Sequence, residues 1–228
     1  MKHWICLVVM GMALILLSAC AGAGAVVALN LRAIPSAASL LDPDAEQIAV
    51  LVEPFEDLRP QQSRLGLRTH LGGGFTYFSV EGGDAAGTFT RVVGEYLEQM
   101  GWLVWVKKPG EPAPQVSPDV RITGQLKELS VRAKSRLGST VITCKLKAVV
   151  LGVNAADQST VSVSLEGIRT RTVLWFETDD VQELVNQTLR DSLRKLMADL
   201  KVVDRTLRLK RDQAEHCCSA RVGKGRHA

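Results

Sequence analysis

Val120-Arg121-Ile122-Thr123-Gly124-Gln125-Leu126 alternates apolar and polar residues, and this alternation decides the fold. Successive side chains of an extended chain point to opposite sides, so Val120, Ile122, Gly124 and Leu126 share one strand face. The phase then moves to Leu129, Val131 and Ala133, which predicts a β-bulge near Lys127-Glu128. Ile142, Cys144, Leu146, Ala148 and Val150 repeat the pattern over residues 141–153. After the turn at residues 154–158, Val161, Val163 and Leu165 face inward and Ser162, Ser164 and Glu166 outward. Three long strands at such short spacing predict an antiparallel meander.

Outward from the meander the period changes from two to 3.6. Val181, Leu184, Val185, Leu189, Leu193, Leu196, Met197 and Leu200 form one apolar stripe. That helix is expected to start at Asp179 or Asp180, with Glu183 as the capping partner. On the amino-terminal side, Phe89, Val92, Val93, Tyr96, Leu97 and Met100 make a second stripe, and Gly101 is placed to end it in a left-handed conformation. Trp102 to Val106 follows as a strand, and Ile48-Ala49-Val50-Leu51-Val52 reads as a short buried one. The predicted class is α+β: a two-layer domain with a mainly antiparallel sheet and two amphipathic helices on one face.

The chain begins with the marks of export. Lys2 and His3 precede an apolar run from Trp4 to Leu17, the form of a secretory signal. Leu17-Ser18-Ala19-Cys20 then matches the bacterial lipobox, whose cysteine carries lipid after cleavage. Two other readings stand beside it. Residues 4–29 are long enough for an uncleaved span, and Ala21-Gly22-Ala23 would serve an ordinary signal peptidase. On the lipobox reading, residues 1–19 are signal, 20–45 a lipidated cysteine and flexible tether, 46–201 the domain, and 202–228 a basic, disordered tail. Membrane lipid is then held through Cys20, and Ala21, not being Asp, favours the periplasmic face of the outer membrane.

Charge and cysteine content exclude several classes. The net charge is +4. Arg205, Arg208, Lys210, Arg211, Arg221, Lys224 and Arg226, set against Asp204, Asp212 and Glu215, account for all of it. With the body neutral, no nucleic-acid partner is expected. Cys144, Cys217 and Cys218 are too few and badly spaced for a disulfide framework, and no Cys/His spacing makes a zinc site. Cys144 lies on an apolar strand face and reads as a small core residue.

Catalytic motifs are lacking. There is no Gly-x-Ser-x-Gly elbow, and Gly72-Gly73-Gly74 is not followed by the Lys-Ser/Thr of a phosphate loop. His70 is the one histidine within the domain, and it reads as a solvated loop residue. No metal and no cofactor are expected. Residues 56–84 read as a long irregular loop interrupted by a short strand at residues 75–80, and loops of this length are often functional. Asp57 and Arg59 either present a salt-bridged edge to a partner or brace the loop. Leu65, Leu67, Leu71, Phe75, Tyr77 and Phe78 would supply apolar anchors.

The order of elements resembles the uncharacterised YajG-type bacterial lipoproteins. The helix ending Glu98-Gln99-Met100-Gly101-Trp102, the strand at residues 118–126, the hairpin of residues 141–167 and the closing helix carry the likeness, over roughly residues 48–200 plus the lipobox. The loop Phe55-Glu56-Asp57-Leu58-Arg59-Pro60 is more similar to penicillin-binding-protein activators. The resemblance implies fold and location more than activity. The expected function is a lipid-anchored, non-catalytic binding or adaptor module for an envelope protein partner, with Asp57, Arg59, Leu65, Phe75 and Tyr77 as candidate contacts. The alternative is an envelope hydrolase or other enzyme with an unrecognised site.

Overall fold

The computed structural model describes residues 24–35, 47–112 and 117–210. Its order is β1 (Ala25–Leu29), β2 (Ala49–Val52), β3 (Glu56–Asp57), β4 (Gly66–Thr69), β5 (Phe75–Val80), α1 (Ala85–Gln99), β6 (Leu103–Val106), β7 (Val120–Arg136), β8 (Ser139–Asn154), β9 (Thr160–Val173), α2 (Thr178–Asp199), β10 (Leu200–Val203) and β11 (Thr206–Leu209). The fold is α+β, with one large mixed sheet and two helices contributing to one continuous core.

β7 is the spine of the sheet. Along one edge it pairs antiparallel with β8 over its full length, and β8 pairs with β9 in the same sense. The register shifts between Leu126 and Glu128, where the change of hydrophobic phase places the bulge. Along its other edge β7 receives β2, β3 and β4 in chain order, all parallel. The expectation of a mainly antiparallel sheet holds, through the meander and the β4–β5 pair, and shorter parallel pairings lie beside them. β2 lies between β6 and β7 and is buried throughout, so its apolar run has no solvent face to alternate with.

Both helices form where the stripes place them. Asp84 caps α1 by accepting from the Gly87 N–H at 2.8 Å. Gly101 closes it at φ 86°, its N–H donating to Glu98 O. The start of α2 differs from expectation. Glu177 is the cap, and its backbone N–H donates to Asp180 Oδ2 at 3.0 Å, so Asp180 is the reciprocal partner. Glu183, expected in that role, instead accepts from Arg171 at 2.6 Å. Val181, Leu184, Val185, Leu189, Leu193 and Leu196 are all buried, each contributing about 1.5–3 kcal/mol by leaving water.

Three boundaries move. Ala25–Leu29, expected within the flexible tether, is an edge strand pairing parallel with β5. Just beyond it, Asn30 and Arg32 donate backbone N–H groups to Gln182 and Asn186 of α2. Within residues 56–84 the strand expected at 75–80 forms as β5, and the rest, expected as loop, also contains β3 and β4. At the far end the domain continues past residue 201 into the β10–β11 hairpin, where Arg205 and Arg208 pair with Asp119 and Asp157. The remainder of the predicted tail and tether, with Cys20, Cys217 and Cys218, lies outside the described residues.

Candidate partner-binding surface

The residues singled out after β2 separate into a brace and a surface. Arg59 is 5% exposed. Its Nε and Nη2 donate to the two Asp57 carboxylate oxygens at 2.9 and 2.8 Å, and Nη2 and Nη1 also reach the carbonyls of Gln62 and Arg64 at 2.8 and 3.3 Å. Gln62 returns a hydrogen bond to the Asp57 carbonyl at 2.7 Å. Burial acts to raise the pKa of Asp57, but the hydrogen bonds and charge of Arg59 outweigh it and hold the carboxyl below its ordinary value. This planar fork ties the chain between β3 and β4 into a compact turn. Arg59 is thereby spent inside the loop, and as a contact residue it is withdrawn. Leu65 is buried and is withdrawn too, because it belongs to the core under β4.

Phe75 and Tyr77 remain at the surface. They alternate with Phe78 and Val80, which face the core, so they point to the opposite side of the sheet. Arg64 stacks on the Tyr77 ring, 4.0 Å from its centroid. His70 shares a 2.9 Å hydrogen bond with Thr76 Oγ1, which fixes its place in the β4–β5 turn.

Register shows what else shares that side. Val26, Tyr77, Leu67, Arg132, Thr143 and Thr170 are successive cross-strand partners from β1 to β9. One pair of residues along, Ser130 lies opposite Lys145 and Lys145 opposite Ile168. The two helices pack on the other side, where Gly167 leaves so little room that an added Cβ would meet Ser192 Oγ at 2.4 Å. The outer face of β7, β8 and β9 is therefore open. It carries Arg121, Arg132, Lys134, Lys145 and Lys147 against Glu56, Glu128 and Glu166, a mixture leaning basic. A cavity of about 370 Å³ opens on it between the turn after Arg59 and the Ser130–Lys145 pair. Sequence reasoning missed this face because it depends on which strands are neighbours, although its signal was present in the polar half of each alternation.

A cavity of about 610 Å³ lies between residues 29–34 and α1, with the Arg91–Glu95 ion pair on its wall. Cys144 is buried under α2, and burial pushes its thiol up to about 11, which keeps it protonated and unreactive. Among the described residues no group of acids, histidines and cysteines is arranged to hold a metal ion. Also among them, no helix is long and apolar enough to cross a membrane.

No family model matches the chain, and no curated protein matches it. Solved structures offer loose likenesses. A Xanthomonas campestris protein of family model DUF330 has 13% identity and a TM-score of 0.49, covering 75% of this chain and 92% of its own. A Neisseria meningitidis lipoprotein has 12% identity and a TM-score of 0.35, covering 67% and 99%. A putative neuraminyllactose-binding hemagglutinin homolog from Helicobacter pylori has 10% identity and a TM-score of 0.32, covering 73% and 86%. At these TM-scores the likenesses carry neither a family nor a function over to this chain.

Proposed function

We propose that this chain is a lipid-anchored lipoprotein of the cell envelope, of the kind represented by the YajG-type proteins. In this reading it acts as a non-catalytic binding module whose contact surface is the open sheet face. The observation carrying the reading is that face itself. It is a broad, rigid, ladder-paired surface with interspersed charges and a shallow cavity, left uncovered while the opposite face is packed by two helices. Flat mixed-charge surfaces of this kind suit protein recognition, in which complementary charge sets orientation. The partner is an envelope protein whose matching surface leans acidic. The lipobox at Cys20 supports the location, with the periplasmic face of the outer membrane as the expected destination.

The test places a photo-cross-linking amino acid at Lys145, on the open face, and at Arg91, on the exposed side of α1, in cells carrying the native envelope. The expected result is a discrete cross-linked partner from position 145 that is absent from position 91. That partner should be lost when Arg132→Glu and Lys147→Glu are added. Identical products from both positions, or products indifferent to the charge reversals, would remove the face from the interface.

A further inference from the structure

The sheet has two dissimilar ends. At one end, β1 begins where β4 ends. Ala25 pairs with Thr76, Thr76 with Arg68, and Arg68 with Ala133. The β4–β5 turn, the tip of the β7–β8 hairpin and the exit from β9 all project past this level. They carry Leu71, Leu137, Leu174 and Trp175, which are 63%, 90%, 76% and 85% exposed. Phe75, at the start of β5, stands beside them at 44%. Leu71, Leu137, Leu174 and Trp175 are, with Val26, Ile34 and Ile168, the large apolar side chains at least 60% exposed among the described residues, and Val26 belongs to the same end, while Leu103 at the opposite end of the sheet is 50% exposed. Phe176 holds the group together by turning inward, its ring 3.8 Å beneath the Arg68 guanidinium carbon and 6.5 Å from Phe78. Trp175 is therefore next in chain to a residue seated on β4, and β4 lies two strand spacings, about 10 Å, from β1.

We propose that this end of the domain docks on a phospholipid bilayer, with Leu137, Leu174 and Trp175 entering the interfacial layer. The proposal rests on the lipid-anchor reading at one point: where the chain meets the membrane. Cys20 precedes Gly24 by four residues, a reach of at most about 14 Å when fully extended. Gly24 leaves the sheet at this same end, its N–H bonded to Phe75 O. A lipid on Cys20 thus holds the bilayer within a few residues of the apolar tips, too close for a second protein to intervene.

Tryptophan favours the membrane–water boundary, where its ring is buried and its N–H stays wet. Lys134 and Arg136 flank the hairpin tip, and Glu177 and Asp179 lie at the start of α2. Charge is therefore nearly balanced, and apolar insertion carries the docking. α2 runs from this end to the other, a span of about 33 Å. There the Lys210 N–H donates to Asp199 O, so the last described residue lies at the end remote from the membrane. The open sheet face then stands upright on the bilayer, available sideways.

The experiment purifies the mature protein, reconstitutes it in phosphatidylethanolamine/phosphatidylglycerol vesicles, and measures tryptophan quenching by acyl-chain-brominated phospholipid. The difference between wild type and Trp175→Phe isolates the Trp175 signal. Docking predicts strong quenching of that signal by bromolipid and weak quenching by aqueous acrylamide. It also predicts that Leu137→Asp with Leu174→Asp, at exposed positions that the fold does not need, reduces bromolipid quenching at least fivefold. If Trp175 is open to acrylamide and indifferent to bromolipid, the proposal is overturned. If it is shielded from both, the end is covered by protein, such as a second copy, and the proposal is equally overturned. The mass of the amino-terminal peptide reports lipidation separately. Lipid on Cys20 with an unquenched Trp175 defeats docking alone, while quenching without lipid defeats the anchor alone.

Discussion

Asn154 and Leu207 hold each other by a reciprocal pair of hydrogen bonds. The Asn154 Nδ2 group donates to Leu207 O at 3.0 Å, and the Leu207 N–H donates to Asn154 Oδ1 at 2.7 Å. Asn154 is fully buried at the end of β8, and Leu207 packs over Gly152 of the same strand. A side-chain amide here does the work of a missing strand neighbour for β11. Asn154→Ala leaves both backbone groups of Leu207 unpaired inside the protein. The expected cost is about 2–4 kcal/mol, read as a lower midpoint in urea. Trypsin cleavage at Arg205 and Arg208 should become rapid under native conditions, and unchanged resistance would refute the lock.

The Asp57–Arg59 brace predicts an asymmetric response to substitution. Arg59→Met strands a partly buried carboxylate and two carbonyls, and should destabilise by about 1–3 kcal/mol. Asp57→Asn keeps hydrogen bonding but removes the charge, and should cost less.

The same pair sets an acid dependence. The folded pKa of Asp57 lies below its ordinary 3.8, so its contribution is present above pH 3.8 and is lost as pH falls through the folded value. The stability gap between wild type and Asp57→Asn should be full at pH 7 and shrink below pH 3.8. Denaturation midpoints across that range check it, and a gap that widens in acid would contradict the brace.

The seat of α2 on the sheet makes a prediction of opposite signs. Ser192 Oγ is buried without a hydrogen-bond partner beside Gly167. Ser192→Ala removes an unsatisfied hydroxyl and should raise the melting temperature, by the equivalent of about 1 kcal/mol. Gly167→Val drives side-chain atoms into Thr188 and Ser192, and should cost about 1–3 kcal/mol or more. Leu189→Asp, one turn from this contact and fully buried, should prevent cooperative folding altogether. Calorimetry of the three variants tests the packing.

The anchor is tested most directly by metabolic labelling. A radiolabelled or clickable fatty acid should enter the wild-type protein and fail to enter Cys20→Ser, which should also retain its leader. Equal labelling of the two would remove Cys20 from the anchor.

How far the residues reveal the protein follows from the range of the forces involved. The bulge after Leu126, the Gly101 helix end and the two apolar stripes were legible because each is a local pattern, set within a few residues by pleat, pitch and cap chemistry. The roles within the cap of α2 were misassigned because Asp180 and Glu183 both sit at capping distances from plausible starts. Only Arg171, from a neighbouring strand, separates them. Asp57 and Arg59 were recognised as a pair, but their burial was not visible, since it depends on where β4 lies against β7.

The sequence by itself determined the α+β class, the antiparallel meander and the two core-facing stripes. Each is a property of spacing along the chain, and spacing survives without knowledge of neighbours. Tertiary structure alone decided that β7 accepts parallel strands on its second edge, and that Ala25–Leu29 and Thr206–Leu209 join the domain. It also decided which face stays open, and that the tips bearing Leu137 and Trp175 lie at the same end of the sheet as Gly24. Short strands such as these carry too little periodicity to declare themselves. What holds them is the hydrogen bonds and buried area supplied by residues dozens to more than a hundred positions away.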